Sequence, residues 1–308
     1  MIIKAIENPK LLDHLNSISP DGTKIFLLGN GTVRGSLLHG TKMINQMRVN
    51  HGLGILETLA LGHAYIGTGL LTSMIKGNDR IGMMIECGGP IKGISTEASA
   101  DGGIRGYLLN NPIPIGTPLE SFDLSPFFGP GFLKITRYIE GARHPFSGQV
   151  MLNYGNIAQD LALYFNTSEQ IKTLFSISIK FDREGDAIGA GGLFLQELPG
   201  ADGGVLGALE DRVKKMPSIG LFFSEKGRVE DLITDTFKDF SPGIIADKQT
   251  AFSCSCSKEK FGSFLSSLKG EEKEKIMKEG PFPLVTTCHN CGTDYEFTRD
   301  EVMELFSN

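Results

Sequence analysis

The chain has no tryptophan, only six histidines and only five cysteines among its 308 residues. The histidines show no spacing typical of paired metal ligands, and no nucleophile, base and orienting group occur together. Acid–base catalysis therefore finds no support in the sequence, and we expect a protein that is not an enzyme. The histidines are His14, His39, His51, His63, His144 and His289.

The chain also has no excess of positive charge, since it contains 30 Lys and Arg residues and 36 Asp and Glu residues and has a net charge of −6. Contact with phosphate favours a basic face, so we expect no nucleic-acid partner. A long uninterrupted apolar run is absent as well. The most apolar stretch, residues 53–75, contains Glu57 and His63, so we expect a buried helix there and no membrane span.

The first twelve residues lack the apolar core of a secretory signal and carry Lys4, Glu7 and Lys10. We therefore expect a cytoplasmic location. Disulfides are rare in the reducing cytosol, so resting cysteines in that compartment are thiols or metal ligands rather than structural bridges.

Glycine is abundant, with 39 residues scattered among apolar runs, which is typical of many turns and closely approaching strands. Strand patterns outnumber helical ones and do not alternate regularly with them, so we predict an α+β fold. Strands are predicted at residues 24–28, 33–38, 81–86, 104–109, 133–138, 149–152, 175–181, 188–195 and 284–287. Helices are predicted at 157–165, 205–214, 258–268, 271–278 and up to Phe306, and at 42–74 with breaks at His51-Gly52 and near Gly62 and Gly67.

The composition predicts three regions: a large mixed domain at residues 1–220, a linker at 221–250 and a small cysteine-containing domain at 251–308. The linker begins with Phe222 and Phe223 and continues as a charged amphipathic stretch with modest helical content. A solvated surface helix and a functional switch both explain this pattern, and the surface helix is the simpler interpretation. The last domain has few apolar residues, and domains of this size usually need a metal or a disulfide to stay folded.

Four of the five cysteines form two close pairs in the last domain, Cys254-Ser-Cys256 and Cys288-His-Asn-Cys291. Two such pairs joined by a loop can supply four sulfurs to one ion, and tetrahedral zinc is the ion that most often takes four thiolates. A structural Zn²⁺ contributes on the order of 10 kcal/mol of folding free energy at neutral pH. We therefore predict one zinc ion bound by Cys254, Cys256, Cys288 and Cys291.

The same four thiolates are the most oxidisable groups in the chain. Oxidation would remove the electron pairs that hold the ion, and the small domain would then lose its fold. Spacing alone leaves this redox switch as one option beside a purely structural zinc site. The turn from Cys288 to Gly292 is called the knuckle, and we expect His289 to be a solvated residue of it. We expect the lone Cys87 to be a small buried hydrophobe.

Short motifs occur in a recognisable order from the first strands to the last cysteine pair. They are Val33-Arg34-Gly35, Gly88 to Gly93 with Ile104 to Tyr107, Asp160 to Tyr164 with Ser168 to Gln170, Gly191 to Gln196 with Leu198 to Gly200, and Phe252 to Ser257 with Cys288 to Cys291. In this order, and over nearly the whole chain, they resemble the 33-kilodalton heat-shock redox chaperone family, the bacterial oxidation-activated holdases.

The resemblance implies a protein that is a zinc-bound, largely inactive monomer when reduced. Oxidants would form the disulfides Cys254–Cys256 and Cys288–Cys291 and release the zinc. The small domain and the linker would then unfold and expose apolar surface that captures unfolding client proteins without ATP. The resemblance also implies that the active, oxidised form is a homodimer.

Three positions depart from the pattern of that family. Ile171 stands where proline is usual, Phe146 where tyrosine is common, and Asn290 replaces an aromatic residue inside the second cysteine pair. None of these positions is a thiol, so the predicted zinc site is unaffected. Asn290 bears on how readily the second pair opens.

Two further function classes remain open from the sequence. One is a zinc-knuckle protein that binds nucleic acid or acts as an adaptor with a purely structural metal, although the acidic balance argues against it. The other is a thiol–disulfide oxidoreductase that uses Cys288 and Cys291. Enzymes of that kind usually carry one active pair at a helix N-terminus and no zinc.

Overall fold

The computed structural model describes residues 1–116, 121–201 and 204–307. Its strands are β1 (Gly22–Leu28), β2 (Val33–His39), β3 (Arg80–Cys87), β4 (Gly93–Ser99), β5 (Gly103–Leu108), β6 (Gly131–Tyr138), β7 (Phe146–Met151), β8 (Thr173–Phe181), β9 (Ala187–Glu197), β10 (Gly243–Gln249), β11 (Ala251–Phe252), β12 (Leu284–Cys288) and β13 (Thr293–Phe297). Its α-helices are α1 (Pro9–Ser17), α2 (Thr41–His51), α3 (Ile55–Leu70), α4 (Ser125–Phe128), α5 (Ile157–Thr167), α6 (Val205–Lys215), α7 (Ile219–Ser224), α8 (Val229–Phe237), α9 (Lys258–Ser266), α10 (Gly270–Glu279) and α11 (Arg299–Ser307). This mixture confirms the predicted α+β class.

The strands form two large sheets and one small hairpin. The five-stranded sheet has the order β10-β1-β2-β9-β8, the six-stranded sheet has the order β11-β5-β4-β3-β6-β7, and β12 pairs with β13. Neighbouring strands run antiparallel, except that β11 lies parallel to β5. Helix α3 packs against strands of both large sheets and is buried along almost its whole length. The main core therefore lies around α3, between the two sheets.

The predicted breaks at Gly62 and Gly67 are wrong, because α3 continues through both residues. A Cβ atom at Gly62 would lie 2.5 Å from Cδ1 of Ile179, and one at Gly67 would lie 2.8 Å from Cδ1 of Leu161. These glycines let β8 and α5 approach the helix closely rather than ending it. The break predicted at His51-Gly52 is confirmed, since α2 ends there and Gly52 adopts a left-handed φ of 63°.

The segment predicted as a linker packs against the outer face of the five-stranded sheet. Helices α7 and α8 contribute Phe223, Ile233 and Phe237, which are at most 1% exposed, to a second apolar core with β1, β2 and β9. Strand β10 then pairs with β1 as the edge of the same sheet. The interpretation of this segment as a solvated surface helix is therefore wrong for its apolar face. Strand β10 was not predicted, because it forms by pairing with β1, which is far from it in sequence.

The C-terminal segment, residues 258–307, contains the β12–β13 hairpin and helices α9, α10 and α11. Its own small core contains the buried residues Tyr295, Phe297 and Val302. The spacing of Thr298 and Glu301 in the sequence predicts a capping box at the start of the last helix, and the structure confirms it at the start of α11. The amide of Glu301 donates to Oγ1 of Thr298 at 3.3 Å, and the amide of Thr298 donates to Oε2 of Glu301 at 2.8 Å.

None of the helices in the described ranges is both long enough and apolar enough to cross a bilayer.

Candidate metal centre

The four cysteines of the last domain form one cluster, and their Sγ atoms all lie within 4.8 Å of one another. Sγ of Cys254 is 3.8 Å from that of Cys288, and Sγ of Cys256 is 3.3 Å from that of Cys291. Four sulfurs bound tetrahedrally at about 2.3 Å from zinc would be about 3.8 Å apart. The donor set and its spacing therefore fit one zinc ion.

The local fold explains how the second pair is held. Cys288 ends β12, and its carbonyl oxygen accepts hydrogen bonds from the amides of Cys291 at 3.2 Å and Gly292 at 2.8 Å. Gly292 has a φ of 63°, a conformation that glycine adopts without strain. This tight turn between β12 and β13 directs both thiols of the pair to the same side. Cys288 lies at the end of a strand, which differs from the helix N-terminus where thiol–disulfide enzymes place their reactive cysteine.

The first pair follows β11, so it is positioned by the sheet of the large domain. The amide of Ser253 donates to the carbonyl oxygen of Ile104 on β5 at 2.9 Å. Cys254 comes next and is buried, whereas Cys256 is half-exposed. Cys254, Cys288 and Cys291 belong to the main core cluster around α3. The thiols are therefore covered from both sides, by the last domain and by the large domain.

Three side chains hydrogen-bond with the sulfurs: Arg105 donates to Cys254, Thr293 accepts from Cys291, and Tyr295 shares a proton with Cys256. The hydroxyl oxygens of Tyr295 and Thr293 lie 3.1 Å from Sγ of Cys256 and 3.2 Å from Sγ of Cys291, respectively. Nη1 of Arg105 lies 3.7 Å from Sγ of Cys254. Sequence analysis missed all three. Tyr295 and Thr293 alternate along the strand after the knuckle, which is a usable signal, but Arg105 is 149 positions away from Cys254.

The thiols differ strongly in acidity. Hydrogen bonds from Cys288 and Cys291, with a smaller contribution from Arg105, hold the pKa of Cys254 far below its usual value. The pKa of Cys288 is raised far above its usual value, and that of Cys291 is raised to about 11, chiefly by the hydrogen bond that each shares with Cys254. The neighbouring donors thus favour the thiolate form of Cys254, which is the form in which a cysteine binds a cation.

Backbone hydrogen bonds fix the knuckle to the large domain. The amide of Gly106 donates to the carbonyl oxygen of Asn290 at 3.2 Å, and Nδ2 of Asn50 donates to that of Cys291 at 3.2 Å. A Cβ atom at Gly292 would lie 2.5 Å from the carbonyl oxygen of Asn50. The absence of a side chain at Gly292 therefore allows α2 and the knuckle to touch.

The other residues that were singled out in the sequence do not belong to the four-sulfur cluster. His289 is exposed, outside the four-sulfur group, with its ring 5.6 Å from that of Tyr107. Cys87 is half-buried against the main core, and burial raises the pKa of its thiol. Phe146 is exposed on β7, and the amide of Ile171 donates to the carbonyl oxygen of Phe165 after α5.

Comparison with known proteins identifies the family. A family model described as Hsp33 protein matches residues 21–298. The 33 kDa chaperonin of Thermotoga maritima is 33% identical over 277 residues, which cover 89% of this chain and 93% of that protein. The 33 kDa chaperonin of Ruminiclostridium cellulolyticum is 30% identical over 279 residues, covering 89% of this chain and 94% of that protein.

The fold of the chain also matches that of a solved structure from this family. The crystal structure of the 33 kDa chaperonin of Thermotoga maritima superposes with a TM-score of 0.84 at 29% identity, covering 94% of this chain and 98% of that one. The resemblance stated from the sequence motifs is thereby confirmed. The chain belongs to the Hsp33 family of chaperones.

Proposed function

We propose that this protein is a redox-regulated, ATP-independent holdase that is inactive when reduced and zinc-bound and active after oxidation. The observation that carries the proposal is the four-sulfur cluster, whose Sγ atoms lie within 4.8 Å of one another; three of its cysteines belong to the main core and Cys256 packs against it. A change in the chemistry of these sulfurs therefore acts on the packing between two parts of the chain.

In the reduced state Cys254, Cys256, Cys288 and Cys291 would hold one zinc ion. The ion cross-links the two cysteine pairs and thereby supplies folding free energy to a domain whose own core is small. The domain comprises residues 251–308, the linker residues 221–250 and the large domain residues 1–220. We propose that this reduced form is a monomer.

Oxidation would proceed at the sulfurs. Two thiolates and one molecule of hydrogen peroxide give one disulfide and two hydroxide ions, so two molecules of peroxide convert all four sulfurs. Electron pairs that bound a cation are then shared in S–S bonds, and affinity for the metal is lost.

We propose Cys254–Cys256 and Cys288–Cys291 as the disulfides. In the folded protein, sulfurs of different pairs are also close, at 3.8 Å for Cys254 and Cys288. Once the domain begins to unfold, only cysteines that are neighbours in sequence remain close, because closing a longer loop costs more entropy. Peptide mapping by mass spectrometry of the oxidised protein distinguishes the two pairings.

Unfolding of the small domain would release the linker, which packs on the outer face of the five-stranded sheet. The rings of Phe237 on α8 and Phe26 on β1 stack with centroids 5.8 Å apart, and β10 covers the edge of β1. Release would uncover a set of apolar side chains on β1, β2 and β9. They are Phe26, Leu28, Val33, Leu37, Leu193 and Leu195.

This uncovered apolar surface would bind unfolding client proteins in the cytoplasm, because such proteins expose apolar segments of their own. Two oxidised copies would also associate as a homodimer. No nucleotide is required, since binding to exposed surface needs only the conformational release driven by the oxidant.

The deciding experiment is light scattering from a thermally unfolding test protein. Zinc-loaded reduced protein is compared with protein treated with peroxide and mild heat. We expect suppression of aggregation only after oxidation, with reversal by reductant. Equal inactivity in both states would refute the holdase and leave an adaptor with a structural zinc ion as the better interpretation.

A further inference from the structure

Arg105 joins the cysteine cluster to the six-stranded sheet. Its guanidinium donates from Nη2 to Oε1 of Glu97 on the neighbouring strand at 2.7 Å, while Nη1 reaches Sγ of Cys254 at 3.7 Å. The other carboxylate oxygen of Glu97 accepts from Arg80 on β3 at 3.1 Å. A chain of charged groups therefore runs across β3, β4 and β5 and ends on a metal-binding sulfur.

The negative charge of the cysteine cluster explains why the guanidinium of Arg105 lies beside it. Four thiolates and one divalent ion carry a net charge of −2, and three of the four sulfurs belong to buried cysteines. Charge that is partly removed from water needs a counter-charge nearby. Arg105 supplies it at a sulfur. The ammonium group of Met1 also reaches the site, but at the carbonyl oxygen of Cys256, 2.6 Å away.

We infer that Arg105 is a positioning residue that holds the cysteine domain on the large domain only while the sulfurs are thiolates. This inference rests on the proposed redox function and specifies how oxidation at the sulfurs is transmitted to the sheet. A thiolate is a charged acceptor for the guanidinium, whereas a disulfide sulfur is neutral and accepts poorly. Oxidation by peroxide, two electrons for each disulfide, therefore abolishes the attraction between Arg105 and Cys254.

Loss of the contact between Arg105 and Cys254 affects the linker through backbone hydrogen bonds on either side of Arg105. Arg105 lies between Ile104, which accepts from the amide of Ser253, and Gly106, which donates to Asn290. Both hydrogen bonds cross from the large domain to the cysteine domain. Loss of the ionic contact between Arg105 and Cys254 weakens these two hydrogen bonds. It thereby loosens the attachment of β11, which directly follows β10.

A purely structural role for Arg105 makes a different prediction. If the residue served only to pair with Glu97, its removal would loosen β4 and β5 equally in reduced and oxidised protein. Arg80 offers a matched control, because it binds the same carboxylate, is also exposed in part and has no hydrogen bond to a sulfur within the described residues.

The test is amide hydrogen exchange of the full chain, zinc-loaded and reduced, followed at Gly106 and Ser253. In Arg105→Met we expect exchange at both amides to be about tenfold faster than in the unsubstituted chain, equivalent to about 1.4 kcal/mol of local opening. Arg80→Met should leave both rates within about twofold of the unsubstituted chain. Arg105→Lys, which keeps the charge, should show an intermediate rate.

After oxidation, the three variants and the unsubstituted chain should exchange alike at these amides. Equal rates in reduced Arg105→Met and Arg80→Met, or a difference that persists after oxidation, would overturn the inference. If Arg105→Met does not fold, the same comparison is made with Arg105→Lys, where a rate equal to that of the unsubstituted chain in both states overturns it. Failure of the holdase assay alone would refute the proposed function while leaving these exchange rates unchanged.

Discussion

Truncation of Phe237 should activate the reduced chaperone without oxidant. The side chain is 1% exposed, lies on α8 and stacks on Phe26 of the five-stranded sheet. Replacing a buried phenylalanine by alanine costs about 3–5 kcal/mol, and we take about 3 kcal/mol because α8 is a short helix at the outer face of the sheet. Each 1.4 kcal/mol is a factor of ten, so the open population of the linker should rise roughly a hundredfold.

The assay compares Phe237→Ala with Phe264→Ala, both zinc-loaded and reduced. Phe264 is 67% exposed on α9, so its truncation removes the same atoms from a solvated position. We expect Phe237→Ala to be cleaved by a low concentration of protease within the linker and to suppress aggregation of a test protein before any oxidant is added. Phe264→Ala should behave like the unsubstituted chain in both measurements.

Zinc content must be measured in the same samples, because loss of the metal would also release the linker. One bound ion together with early activity would separate release of the linker from loss of the metal. If Phe237→Ala keeps its zinc, is cleaved rapidly in the linker and still fails to suppress aggregation, the surface beneath α8 does not bind clients and our reasoning is refuted.

Three further outcomes are expected. A strong chelator with reductant, or Cys291→Ser, should remove the helical signal of α9 to α11 from the far-ultraviolet circular dichroism spectrum while the sheets persist; unchanged helicity would show that the metal is dispensable. Tyr295→Phe removes the hydroxyl 3.1 Å from Sγ of Cys256 and should lower the stability of the small domain by about 1 kcal/mol, with a severalfold faster release of zinc to a colorimetric indicator under peroxide. Burial lowers the pKa of His39 to about 4, so between about pH 6.5 and 4 the unfolded chain binds one more proton and stability falls on acidification by up to about 3 kcal/mol; urea unfolding of His39→Gln should show a flatter pH dependence, and an unchanged slope would contradict this.

The chemistry of the site could be predicted from the sequence because it is local. Two cysteine pairs at spacings of one and two intervening residues define a four-sulfur ligand set without knowledge of the fold. The capping box at Thr298 and Glu301 is likewise a matter of neighbours along one helix. Most strands of the large domain could be located for the same reason, since each of those strands carries its own apolar pattern.

Elements that depend on their neighbours were missed. Strand β4 has the sequence Gly-Ile-Ser-Thr-Glu-Ala-Ser, which is poor in strand-forming residues, and it is stabilised by β3 and β5 on its two sides. Strand β10 exists because β1 offers it an edge. The glycines of α3 predict breaks when taken alone, but the helix is continuous because packing against both sheets outweighs the cost of glycine.

By itself, the sequence determined the two cysteine pairs, and with them the prediction of a four-sulfur metal site that is open to oxidation. Only the tertiary structure decided where this chemistry acts. It places Arg105 at the sulfur of Cys254 and packs the cysteine cluster against α2 and β5. It also lays the linker over the apolar face of the five-stranded sheet. These contacts join residues that are far apart along the chain, and burial, which sets their strength, is a property of the folded molecule alone.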